Sequence, residues 1–334
     1  MPAAPYPPYS APAWLPGGHL QTIYPYLFRR LPAPQLERER WDTPDGDFVD
    51  VDWLAGPADA PLVVLFHGLE GSAHSHYARA MFGMLRARGW RGVLPHFRGC
   101  GGSPNRTARA YHSGDFAEIE WMLRTVASKA PQTRRFAVGV SLGGNALLKW
   151  LAWAGAGALD SITAAAAVSA PMDLATAGHR LGRGLNLLYG WNFLRTLKRK
   201  SLLKLERFPG LYDASAVARA RSLYAFDGLV TAPLHGFRDT EHYWASASSK
   251  PDLKHIGLPT LVLHARNDPF LPGEYLPGPD EVSEWVRLDF SDAGGHVGFV
   301  TGPFPGSLHW LPGRLLDFFE SQLRGGVAEA LLGR

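Results

Sequence analysis

Ser141 stands midway between two glycines in Gly139-Val140-Ser141-Leu142-Gly143-Gly144. The residues before it, Phe136-Ala137-Val138, form a short apolar run with the character of a buried strand. Those after it, Ala146, Leu147, Leu148, Trp150 and Leu151, recur at helical spacing. A serine at such a junction has the pattern of a nucleophile elbow. There a Cβ at 139 or 143 would crowd neighbouring backbone, and the serine is expected in a strained conformation. That conformation lifts the hydroxyl above the sheet, near the positive end of the next helix, where it is suited to attack a carbonyl.

A serine nucleophile needs a base, and the base needs an orienting carboxylate. With an elbow of this kind the chain order is serine, acid, histidine. After Asp268 only His296 and His309 remain. His309 lies beside Trp310 at the start of the terminal helix, whereas His296 follows two glycines directly after a predicted strand. His296 is the expected base. Asp268, in Asn267-Asp268-Pro269 at the end of an apolar strand, is the preferred acid, and Asp173 is its rival. Asp292 is too close to His296 in sequence to reach around its ring. The oxyanion donors are expected to be the backbone N–H groups of Leu142 and Leu69, the latter in His67-Gly68-Leu69.

Other chemistry-bearing residues point nowhere as definite. Cys100, the chain's single cysteine, has no base near it in sequence and suits a small apolar filler. His74 and His76 are poorly spaced for a metal. Arg98-Gly99-Cys100-Gly101-Gly102 has glycines enough to cradle a phosphate but lacks the lysine and spacing of a P-loop. No metal and no cofactor is expected.

These residues must be positioned by alternating strands and helices. Apolar strands are predicted at 61–66, 90–94, 136–140, 162–168, 260–264 and 285–290, with a hairpin over 37–54 whose turn is Thr43-Pro44-Asp45-Gly46-Asp47. Amphipathic helices are predicted near 76–88, after Asp115, after the elbow and at the C-terminal end. This alternation gives an α/β fold with a mostly parallel central sheet and helices on both faces. The 334 residues, 46% of them hydrophobic, are ample for one large core. Residues 1–35 read as an N-terminal arm carrying a short helix, 36–171 and 256–330 as the core, and 172–255 as an inserted helical cap. The proline-rich opening is no secretory signal, no apolar run spans a membrane, and one cysteine forms no intrachain disulfide, so a cytoplasmic setting is expected.

Several stretches together resemble one family. They are Gly18-His19-Leu20-Gln21-Thr22, His67-Gly68-Leu69-Glu70-Gly71-Ser72 and Phe97-Arg98-Gly99-Cys100, then Tyr111-His112-Ser113-Gly114-Asp115 and the elbow through Asn145. Asn267-Asp268-Pro269-Phe270 and Gly294-Gly295-His296-Val297-Gly298-Phe299 complete the set. The chain resembles the YheT-like branch of the α/β-hydrolases, which holds bacterial esterase-like proteins, abhydrolase-domain lipid hydrolases and yeast medium-chain fatty-acid ethyl ester synthase/esterases. The resemblance implies an α/β-hydrolase fold, a Ser141, Asp268, His296 triad and activity on esters with acyl chains. His96 departs from the branch, where Asn is common, and should affect loop bonding more than chemistry.

The cap segment carries Arg180, Arg183, Arg195, Lys198, Arg199, Lys200, Lys204 and Arg207, with Leu187, Leu188, Trp191, Leu194 and Leu197 as an apolar face. One reading is a basic amphipathic helix on an anionic membrane. The preferred reading is a lid whose apolar face covers the pocket and whose cations stand in water, with no membrane contact. The expected activity is hydrolysis of carboxylic esters with short- to medium-chain acyl groups through an acyl-enzyme. Transfer of the acyl group to an alcohol is the alternative, and a non-catalytic binding module the rival from another class. A small-molecule ester is the expected partner, and nucleic acid is not.

Overall fold

A computed structural model describes residues 6–29 and 31–331. Its sheet contains β1 (Glu37–Asp42), β2 (Phe48–Leu54), β3 (Leu62–Phe66), β4 (Arg91–Pro95), β5 (Arg135–Val140), β6 (Ala164–Val168), β7 (Thr260–Ala265) and β8 (Val286–Ser291), in the order β1-β2-β4-β3-β5-β6-β7-β8. β1 pairs antiparallel with β2, and β2 antiparallel with β4; every other pairing is parallel. The strands β3, β6 and β7 are buried at every residue, as expected of a parallel sheet covered on both faces.

The helices are α1 (Gly18–Phe28), α2 (His76–Ala87), α3 (Phe116–Lys129), α4 (Leu142–Ala154), α5 (Leu174–Leu181), α6 (Leu187–Arg207), α7 (Ala214–Arg219), α8 (Leu223–Phe226), α9 (Ala232–Leu234), α10 (Thr240–Ala247) and α11 (Trp310–Leu331). One face of the sheet buries Ile119 and Met122 of α3 with Leu147 and Trp150 of α4. The other buries Phe82 and Leu85 of α2 with Leu316 and Phe319 of α11. Helices α5 to α10 lie between β6 and β7 in the chain, and no described helix is long and apolar enough to cross a membrane. Residues 6–12 have no regular secondary structure and are fastened to the body: the Tyr9 hydroxyl donates to the Val300 carbonyl at 2.8 Å, and the Trp310 indole to the Pro7 carbonyl at 2.9 Å. Residues 1–5 of the expected arm lie outside the described residues.

The orientation of α6 differs from expectation. Leu187, Leu188 and Trp191 are exposed, and Leu194 is buried against Val217 and Phe226. Three of the cations bond to the body of the protein instead. Lys200 pairs with Glu70 at 2.8 Å, Lys204 donates to Asn105 Oδ1 and to the Thr107 and Arg109 carbonyls, and Arg207 donates to the Asn105 and Arg106 carbonyls. Leucines occur around most of the helix circumference, so hydrophobic spacing does not choose a face. The carbonyls of the 105–109 loop choose it, because long cationic stems reach them while burying their methylenes.

Arg98 holds no phosphate cradle. Its buried guanidinium bonds Asp45, Asp47 and Glu118 and ties the β1–β2 turn to α3. Burial favours a neutral Asp47, but hydrogen bonds from Asn105, Thr107 and the Arg106 and Phe48 amides outweigh it and hold the carboxyl well below the usual range. A depressed carboxylate contributes stability above its unfolded pKa of about 4, which is lost as the pH falls through the folded value. We expect Arg98→Met to strand buried carboxylates and cost about 3–5 kcal/mol, read as a lower urea midpoint. A midpoint unchanged from wild type would refute this.

Candidate active site

The elbow forms for the reasons its glycines suggest. Ser141 has φ 53° and ψ −121°, a left-handed conformation that costs a non-glycine residue energy. A Cβ on Gly139 would lie 2.5 Å from the Gly143 carbonyl, and one on Gly143 2.6 Å from the Phe66 carbonyl. Only glycine lets β5 turn into α4 beneath the end of β3.

The serine hydroxyl donates to His296 Nε2 at 2.9 Å, and His296 Nδ1 donates to Asp268 Oδ2 at 2.8 Å. Three loops, following β5, β7 and β8, therefore meet in one hydrogen-bonded series. Asp268 is fully buried, which by itself would raise its pKa, but the facing His296 and the Phe270 amide hold it below the usual carboxylate range. Phe270 packs on the His296 ring at 4.1 Å between centroids. The rival Asp173 caps α5, accepting from the Thr176 amide at 2.9 Å and from the Thr176 hydroxyl. Asp292 is exposed and His309 lies on the surface.

Around Ser141 the amides of Leu69 and Leu142 have no acceptor among the described residues, and neither have those of Gly143 and Gly144. Leu142 opens α4, so its N–H lies in the first turn, which has no intrahelical partner. On either side of Leu69 the amides are occupied. Gly68 N–H donates to the Tyr77 hydroxyl at 2.9 Å and Glu70 N–H to the Tyr111 hydroxyl at 3.0 Å. Buried His67 braces the same loop, donating from Nδ1 to the Gly68 carbonyl and accepting the Phe97 amide at Nε2. Burial pushes His67 down to about 3, so it stays neutral and keeps this tautomer.

Sequence reasoning missed what Gln21 and Thr22 do. Gln21 Oε1 accepts from the Asn267 side chain at 3.0 Å and from the Gly294 amide at 2.8 Å. Thr22 Oγ1 accepts the His296 amide at 2.8 Å. Helix α1 thus holds the loops of Asp268 and His296 in register, at so close an approach that a Cβ on Gly18 would strike the Asn267 carbonyl. The available signal was the Gly-His-Leu-Gln-Thr stretch itself, whose polar side chains sat in a helix with no assigned partner. Asn145 is a second such residue: buried in α4, it donates to the Ser113 and Ala247 carbonyls and accepts the Ser249 amide.

Ser141 opens into a cavity of about 690 Å³ whose walls include Leu142, Phe193, Leu197, Val230 and Phe270. Leu197 is the member of the expected apolar face that reaches it. Glu70 and Lys200 meet as an ion pair on the wall, with Cys100 beside them. Burial raises the Cys100 thiol to about 12, so it is no nucleophile at neutral pH. Among the described residues no group of three or more His, Cys, Asp or Glu is placed to hold a metal. His76 donates to the Val297 carbonyl, and His96 bonds Asp52 alongside Arg38, so both serve loop structure.

The family described as alpha/beta hydrolase fold matches residues 61–303. The chain belongs to the α/β-hydrolases. YheT of Escherichia coli, which its name groups with the esterases, is 39% identical over 310 residues, covering 91% of each chain. That similarity puts this α/β-hydrolase in the YheT-like branch. The phospholipase ABHD3 of Mus musculus is 28% identical over 92% of this chain and 76% of its own. Among solved structures, the Pyrococcus furiosus esterase Pf2001 superposes with a TM-score of 0.56 at 17% identity, over 95% of this chain and 97% of that one, a likeness of fold.

Proposed function

We propose that this α/β-hydrolase is a serine carboxylic ester hydrolase that cleaves esters of short- to medium-chain acyl groups in the cytoplasm. The carrying observation is the Asp268–His296–Ser141 series ending at a strained hydroxyl on the floor of an apolar cavity. Ser141 Oγ attacks the ester carbonyl while His296 Nε2 takes its proton. The carbonyl oxygen becomes an oxyanion held by the Leu69 and Leu142 amides. His296 then protonates the departing alcohol as its C–O bond breaks, leaving an acyl-serine. Water, deprotonated by His296, attacks that ester and releases the acid and free Ser141. Asp268 orients the imidazole and stabilises its charged form. Residues 172–255 act as the cap that walls the acyl cavity. The phospholipase name of a relative supports an ester with an acyl chain.

Intact mass spectrometry after a fluorophosphonate tests the nucleophile, and a panel of p-nitrophenyl esters of increasing acyl length tests the substrate class. One covalent adduct on the Ser141 peptide and hydrolysis of the shorter acyl esters are expected. An adduct elsewhere, or no turnover of any ester, would sink the reading.

A further inference from the structure

The turn leading into α6 and the first turns of α6 present an apolar surface without a partner among the described residues. Leu185 is 67% exposed, and Leu188 and Trp191 are each 64% exposed. Such a cluster of large side chains on one short segment marks an interaction site more often than chance exposure does. The segment is fixed in place from below. The Asn186 side chain donates to the Pro269 carbonyl at 2.8 Å, and Tyr189 packs edge-on against Phe270, the ring that covers His296. Tyr189 also stacks on His19 of α1, a helix that exposes Leu20, Leu27 and Phe28. The two apolar segments are thus tied together beside the loop that carries Asp268.

Charge decides what covers this surface. Residues 180–205 contain no acidic residue, nor does α1. The cations Lys200, Lys204 and Arg207 are engaged by partners in the protein, but Arg183, Arg195 and Arg199 are exposed around the leucines, with Arg195 over the Trp191 ring. Large apolar side chains flanked by arginines, with a tryptophan among them, suit the boundary between acyl chains and anionic head groups. An acidic protein groove would match the charge of α6, but a bilayer also takes up the exposed Leu20, Leu27 and Phe28 of the neighbouring α1.

We propose that the α1–α6 surface, centred on Leu188 and Trp191, docks on an anionic lipid bilayer. The inference deepens the ester-hydrolase reading by giving its substrate a lipid source, and docking itself needs no catalysis. The quantity to measure is flotation of the full chain carrying Ser141→Ala with vesicles of phosphatidylcholine, alone or with phosphatidylglycerol. Binding should require the anionic lipid and weaken with salt. Leu188→Ser with Trp191→Ser, and separately Arg183→Gln with Arg195→Gln, should each reduce it roughly tenfold or more. In the otherwise wild-type chain neither pair should alter hydrolysis of a soluble p-nitrophenyl ester by more than about twofold, since none of the four residues lines the catalytic cavity. Equal binding to neutral and anionic vesicles, no binding, or undiminished binding by the variants would overturn the proposal. So would a dimer in light scattering that Leu188→Ser with Trp191→Ser dissolves, because the surface would then serve a second copy. If binding behaves as expected while no ester is turned over, the docking surface stands and the catalytic reading fails.

Discussion

Ser141→Ala should lower ester hydrolysis by roughly four to six orders of magnitude while leaving the protein folded. The expected loss is large because the hydroxyl is the proposed attacking atom and no neighbour replaces it; Cys100, the other candidate, is held protonated by burial. Stability should barely change. Alanine keeps the Cβ and the same backbone conformation, and the one side-chain hydrogen bond lost is that to His296. Initial rates on a p-nitrophenyl ester, paired with a thermal melt, separate the two effects. Residual activity above about a thousandth of wild type, in an enzyme melting normally, would remove Ser141 from the mechanism.

Asp268→Asn should cost about ten-thousandfold in kcat, whereas Asp173→Asn should stay within a few-fold of wild type. At 268 the amide no longer offers two acceptor oxygens, so the Nδ1–H tautomer of His296 loses its partner and the imidazolium its countercharge. At 173 asparagine still caps α5, since Asn and Asp are nearly equivalent at that position. Hydrolysis rates of the two purified variants decide the matter, and a severe defect in Asp173→Asn beside a mild one in Asp268→Asn would reverse the assignment. Because the folded pKa of Asp268 is depressed, its pairing contributes stability above the ordinary aspartate range, and that contribution falls away as acid titrates it.

The elbow and the loops of Asp268 and His296 were legible because each lies at the end of an apolar strand, where a short run of sequence carries its own geometry. Even β6, with Ala164-Ala165-Ala166-Ala167 and little strand propensity, was readable as a strand only through its place in the alternation. It forms between β5 and β7 because small side chains are what a fully buried position under α4 admits. The outward face of α6 and the duty of Gln21 were not readable. Both are fixed by partners far along the chain, and hydrophobic period reports the presence of a face without naming what meets it. Arg98 shows the same limit: its glycine-rich neighbourhood suggested a ligand, while the carboxylates that occupy it come from the β1–β2 turn.

The contacts of α1 span 246 residues to Asn267 and 274 to His296. At ribosomal rates of about 5–20 residues per second, Gln21 and Thr22 would wait roughly 10–50 s after synthesis for the groups they hold. Closing so long a loop comes late in folding, when its entropic cost can be offset by a sheet already formed. A nascent chain would therefore carry its serine without its catalytic register. The enzyme would be silent until the segment carrying His296 has been made and has docked on α1.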